Sequence, residues 1–306
     1  MREYTRVTID TAINSRLGPS AAAALVRTLP PRRLRQVARR LAHGYGHRSR
    51  GRICDCIRHN QATVRDLPSD HPTVDGAVVE VLVNAALSFV DLYGAVAHGR
   101  QAVIAACQID EQARHLADKC LSAGRGLVLV GLHMVGFELL VLRLGLMGYD
   151  IQALSDPRPS GSHRKENAVR RRFGLLTTPI SRAAVAEAET RLDRNGVVLT
   201  GIDIPTDHGE HLPFFGRTAR LPTLHAELAI RHGSPVYLVV PQREGDNRYR
   251  VQSGQLFNTQ AGESTPARVR ELTLAVLSAA EEHIANRPGH WKMLRPMWNG
   301  RQILDQ

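Results

Sequence analysis

Lysine is almost missing from this chain. Only Lys119, Lys165 and Lys292 occur among 306 residues, so 37 of the 40 cationic side chains are arginines. Cysteine is scarce as well. Cys54, Cys56, Cys107 and Cys120 are too few and too scattered for a disulfide scaffold, and the first two stand too close together for a zinc knuckle. A reducing compartment is the default expectation. The opening residues hold no apolar stretch of the signal-peptide kind. The longest apolar run, residues 126–148, is interrupted by His133, Glu138 and Arg143, each costly in hydrocarbon. It reads as a buried strand followed by a buried helix, not as a membrane span. No G-x-S-x-G occurs, which argues against an ordinary α/β-hydrolase. Internal repeats and low-complexity tracts are absent too.

What is present is an ordinary globular composition, 43% apolar and 23% charged, on a chain long enough to bury a large core. The charge is unevenly placed. Of a net +11, an excess of ten falls within residues 1–60, where 13 arginines face Glu3, Asp10 and Asp55. Residues 31–52 carry eight of those arginines around an apolar stripe of Leu34, Val37 and Leu41. That pattern suits a basic amphipathic helix on an anionic lipid surface. The competing reading of a basic nucleic-acid binder has little behind it. The first 60 residues contain two tyrosines and no Phe or Trp, and no nucleic-acid-binding signature appears.

Residues 10–122 read as mostly helical, with a start at Pro30-Pro31, a second apolar helix over 78–95 and a third over 98–122. From Gly124 the pattern changes. Short runs that read as strands, at 126–130, 150–154, 197–200, 235–241 and 249–254, alternate with helical patterns that reach 148 and cover 224–231 and 266–286. The expected fold is α/β, a central mostly parallel or mixed sheet layered by helices, with an N-terminal helical region. The expected division is a helical region over 1–122 packing on an α/β core over 123–306.

The chemistry is concentrated in Gly131-Leu-His-Met-Val-Gly-Phe-Glu138. A titratable pair stands where a strand gives way to a helix, inside an apolar run. On one regular helix the two would lie about 140° apart, since each residue turns about 100°. They meet only if His133 sits in the turn and Glu138 on the first helical turn, with Gly131 and Gly136 supplying backbone freedom. A carboxylate there would fix the imidazole tautomer and strengthen it as a base. Against this stands the plain alternative of a core histidine and a helix N-terminal acid.

Histidine, four residues, then an acid, directly after an apolar strand, resembles the signature of the glycerolipid-type acyltransferases. The chain is similar to the branch holding the bacterial lipid A lauroyl/myristoyl acyltransferases and the phosphatidylinositol mannoside acyltransferases. Phe214-Phe215-Gly216 with Arg220-Leu-Pro222, the segment Leu228–Pro235, Arg243, Arg287-Pro-Gly-His-Trp291 with Arg295-Pro-Met-Trp298, and Arg58-His-Asn60 follow the family's order from about residue 15 to 300. One block departs. Where the family carries a polar pair before an acid, this chain has Gly201-Ile202-Asp203.

The resemblance implies transfer of an acyl group from an acyl thioester, acyl-CoA or an acyl-carrier protein, to a hydroxyl or amine of a lipid or glycolipid. His133 would be the base and Glu138 its orienting acid. No nucleophile elbow is present, so transfer is expected to be direct. Backbone amides of the 131–136 turn are the expected oxyanion donors, with an arginine of the 158–172 stretch as a candidate to join them. Arg158, Arg164 and Arg171 would meet the donor's phosphates or an anionic acceptor. Phe214 and Phe215 would wall the acyl groove, and Asp203 and Arg243 complete the substrate-binding set. No metal or other cofactor is expected. The expected place is the cytoplasm, on the inner face of a bacterial plasma membrane or free of it. The departure at Gly201-Ile202 leaves open the same chemistry on a soluble or carrier-bound natural-product intermediate.

Overall fold

The computed structural model describes residues 30–48, 51–159, 161–252 and 254–298, without the side chains of residues 161 and 162. Helices α1 (Pro31–Arg48), α2 (Arg52–Val64), α3 (Pro72–His98), α4 (Arg100–Ala106) and α5 (Glu111–Ser122) form the N-terminal part. The expected helix over 98–122 is split by β1 (Cys107–Ile109), which pairs in parallel with β10 (Arg248–Val251). Gly99, at φ 86°, ends α3 and turns the chain into α4. The sequence shows no break there because Cys107 and Ile109 are also acceptable on an apolar helix face.

The central sheet has six strands in the order β11, β8, β2, β5, β3, β4. These are β2 (Leu127–Gly131), β3 (Ile151–Ser155), β4 (Leu176–Pro179), β5 (Val197–Gly201), β8 (Val236–Val239) and β11 (Gln255–Phe257). All neighbours run parallel except β11. A parallel sheet is covered on both faces, which is why β2 is buried at every position. One face, through Val128, Val130, Val198 and Leu238, packs on α8 (Arg182–Asp193), α9 (Leu224–His232) and α10 (Pro266–Asn286). The other, through Leu127, Leu129, Leu199 and Tyr237, packs on α3 to α5 and on α6 (Phe137–Gly145). α7 (Gly161–Arg172) joins β3 to β4.

Two smaller sheets complete the fold. β9 (Pro241–Gly245) pairs antiparallel with β10, so the run expected as one strand over 235–241 is two strands in different sheets. β6 (Glu210–Phe214) and β7 (Arg217–Leu221) form a hairpin. Its turn is Phe215-Gly216, both with positive φ, 49° and 69°, the primed geometry that matches strand twist. α3 is long and apolar enough to cross a membrane by length and composition. Here it packs against α1, and Leu87, Leu92 and Ala95 are buried in the protein.

Candidate active site

Because β2, β5 and β3 run parallel, their carboxyl ends open on one edge of the sheet, where α/β folds place their ligands. The segments leaving those ends carry His133, Asp203 and Asp156. A cleft of about 560 Å³ lies there, lined by His133, Glu138, Glu166, Arg170, Gly201 and Lys292 among others.

The turn after β2 is held from several sides. Gly136 adopts φ 85° as the N-cap of α6, and a Cβ there would lie 2.3 Å from the Tyr249 ring. Both conformation and space therefore require glycine. Val135 N donates to the His290 carbonyl at 2.9 Å, Lys292 N to the His133 carbonyl at 2.8 Å, and Gly136 N to Ser88 Oγ at 3.3 Å. The backbone N–H groups of His133, Met134, Val135 and Gly136 all find acceptors inside the protein. The expectation that they would receive an oxyanion does not hold for those four amides.

The ring of His133 is fixed by Asp203. Its Nδ1 lies 2.6 Å from Asp203 Oδ1, and its backbone N donates to Oδ2 at 2.9 Å. Trp291 Nε1 donates to the same Oδ2 at 2.8 Å. Asp203 is fully buried, which by itself would raise its pKa; the opposing charge and hydrogen bonds of His133, with the bond from Trp291, hold it below the usual carboxylate range. An ionised Asp203 can only accept at that contact, so Nδ1 donates to it and Nε2 is the ring nitrogen Asp203 does not engage. The His133 side chain is 31% exposed. Gly201 permits this pose, since a Cβ there would sit 3.0 Å from His133 Cε1.

Glu138 does not orient the histidine. Its carboxylate is held by Arg170, whose Nη2 donates to Oε1 at 2.7 Å and to Oε2 at 2.8 Å. Burial pushes the Glu138 pKa up, and the Arg170 charge and hydrogen bonds more than reverse it. The physical reason is helix geometry. On the first turn of α6 the side chain points across to α7, whereas the acid that reaches Nδ1 enters from β5.

The other expected site residues divide. Arg158 lines the cleft, 3.7 Å from Asp207. Arg164 and Arg171 are exposed on α7 and do not line it. Phe214 and Phe215 are not groove walls. They pack with Trp291 and Trp298 in an aromatic cluster, ring centres 4.9 to 6.4 Å apart, behind Asp203. Arg243 is drawn away from the cleft by Asn84 at 2.9 Å and by the Tyr249 hydroxyl at 2.8 Å. Sequence reasoning missed Arg170, Glu166 and Lys292. The first two stand four residues apart on α7, a spacing that was there to be read. Glu166 is raised to about 7, by burial first and then by Glu138. Phe137, Val141, Leu154 and Leu199 give the cleft an apolar wall.

A parallel-sheet fold with a carboxylate-fixed histidine beside a cleft at its carboxyl edge is an arrangement suited to general base chemistry. Residues 20–300 match the bacterial lipid A biosynthesis acyltransferase family, so the chain belongs to that family and is an acyltransferase. No curated protein matches the chain.

Proposed function

We propose that the enzyme transfers an acyl group from an acyl thioester, carried on coenzyme A or an acyl-carrier protein, to a hydroxyl or amine of a lipid or glycolipid. The observation that carries this reading is that His133 lines the cleft while Asp203 engages its Nδ1, which leaves Nε2 for a substrate. Nε2 removes the acceptor's proton as its oxygen or nitrogen attacks the thioester carbonyl. The carbon–sulfur bond then breaks, and the imidazolium returns the proton to the departing thiolate. With four turn amides committed, the oxyanion falls to side-chain donors. Arg170 keeps an N–H on Nη1 beyond the bond it gives Asn167.

Direct transfer is favoured because no thiol or hydroxyl among the described residues is hydrogen-bonded to His133. All four cysteines are buried and none lines the cleft. The same reading seats α1 on an anionic cytoplasmic membrane surface. Val37 and Leu41 are 46% and 69% exposed, beside the exposed Arg32, Arg33, Arg39 and Arg40.

The test is acyl transfer from a thioester library, with products identified by mass spectrometry. His133→Ala is expected to lower transfer by about 10²–10⁴ while the protein stays folded. Near-full activity in folded His133→Ala, or an acyl-enzyme trapped at a competent rate, refutes the mechanism.

A further inference from the structure

Of the chain's three lysines, Lys292 alone lines the cleft. Its backbone N donates to the His133 carbonyl at 2.8 Å, and Met134 bridges antiparallel to Trp291. That register sets residue 292 opposite residue 133, and residues opposite each other across such a pair project to the same face. Lys292 therefore enters the cleft beside the base. Its Nζ is 5.7 Å from the centre of the Phe89 ring, itself 36% exposed at the rim. Arg295, three residues on, also lines the cleft.

Neither cation has an acidic partner within ion-pair distance among the described residues. Arg170 occupies Glu138, and Asp207 stands with Arg158. Burial lowers the Lys292 pKa, against the pull of Glu138 and Glu166. A desolvated ammonium without a contacting acid is costly, and an incoming anion relieves that cost. None of this is used in proton transfer by His133 and Asp203.

We propose that Lys292 and Arg295 form a phosphate-binding subsite at the mouth of the cleft, taking a phosphate group carried by a substrate. The inference rests on the acyl-transfer reading. It moves the phosphate contact from the α7 arginines to the closing segment of the chain. Two sources share that chemistry, the phosphopantetheine arm of the donor and a phosphorylated acceptor.

The experiment uses the full chain with acyl-CoA and with the phosphate-free acyl-pantetheine of the same acyl group. A charge-assisted contact gives wild type a KM ratio of about ten or more in favour of acyl-CoA. Lys292→Gln and Arg295→Gln are expected to bring the ratio towards one, and Lys292→Arg to retain most of it. If the ratio survives but glycerol 3-phosphate inhibits wild type better than glycerol, and Lys292→Gln abolishes that difference, the phosphate is the acceptor's. If neither preference exists in wild type, or neither moves in the folded variants, the subsite is refuted. Should wild type turn over no thioester, the acyl-transfer reading fails. Calorimetry with coenzyme A then judges the subsite alone, and equal affinity in wild type and Lys292→Gln overturns it.

Discussion

At the scale of single residues the site is a set of carboxylates given different tasks by their neighbours. Asp203 is ionised and dry, and orients His133. Asp203→Asn is expected to lower kcat by about 10²–10⁴, because an amide favours the wrong imidazole tautomer. Steady-state kinetics on the folded variant check this. Glu138 and Arg170 are a pair mostly withdrawn from solvent, 21% and 14% exposed, so removing either partner strands the other. Glu138→Gln and Arg170→Gln are each expected to cost stability, on the order of 3 kcal/mol, with the double variant costing less than the sum. Denaturant unfolding of the three variants reads that cycle. Glu166 behaves oppositely. Its folded pKa, about 7, lies above the ordinary 4.5, so between those values the folded protein binds more protons than the unfolded chain. Stability from this group is intact below about pH 4.5 and falls as pH rises through 7. Glu166→Gln is expected to stabilise the protein at pH 8 by about 1–3 kcal/mol and hardly at pH 4.5. Equal effects at both pH values would rule out a raised pKa for Glu166 in the folded protein.

At the scale of elements, α1 shows how one helix divides its arginines. Leu34 is buried, and Gly46 lets the helix close on α3, since a Cβ there would lie 3.0 Å from Val79. Arg35 turns inward and pairs with Asp91 of α3, which also accepts from the Tyr249 hydroxyl at 2.7 Å and lies 3.6 Å from Arg243. The Tyr249 ring in turn packs on Gly136 of the active-site turn. Arg35 is thus structural, and only its exposed neighbours remain for a lipid surface. Changing Arg32, Arg39 and Arg40 to Gln is expected to weaken flotation with anionic vesicles strongly at low salt, at about 1 kcal/mol per charge. Arg35→Gln is expected to lower Tm instead. If wild type does not float, the soluble-acceptor reading replaces the membrane one.

At the scale of the whole molecule, the segment after α10 closes the site. Asn60 of α2 donates to the carbonyls of Met293 and Arg295 at 3.0 and 2.7 Å and accepts from Met297 N at 3.1 Å. Gln61 donates to the Pro288 carbonyl at 2.9 Å. The segment so held delivers Trp291 to Asp203 and Lys292 to the cleft. The N-terminal helices therefore build the active site through the far end of the chain. Asn60→Ala is expected to lower Tm and also kcat, whereas Trp291→Phe should lower kcat more than it lowers stability. Phe keeps most of the apolar burial and loses only the bond to Asp203. Thermal unfolding beside steady-state kinetics separates the two.

Much was legible in the sequence because it is local. The apolar runs read as strands at 126–130 and 197–200, the change of pattern at Gly124, the proline at the start of α10 and the histidine between Gly131 and Gly136 are each written in a few consecutive residues. The family blocks drew attention to His133, which lines the cleft with Nδ1 against Asp203. What is not local was misread. Glu138 looked like the partner of His133 because it is five residues away, yet the carboxylate on the ring comes from residue 203, brought over by the parallel pairing of β2 with β5. Phe214 and Phe215 looked like groove walls because aromatic residues suit acyl chains, yet the primed hairpin buries Phe214 in the core and packs a half-buried Phe215 against it. Composition and periodicity dictate which elements form, since both act within one turn or one pleat. Which charges meet depends on register and on which strand ends share an edge, and only the folded sheet decides that.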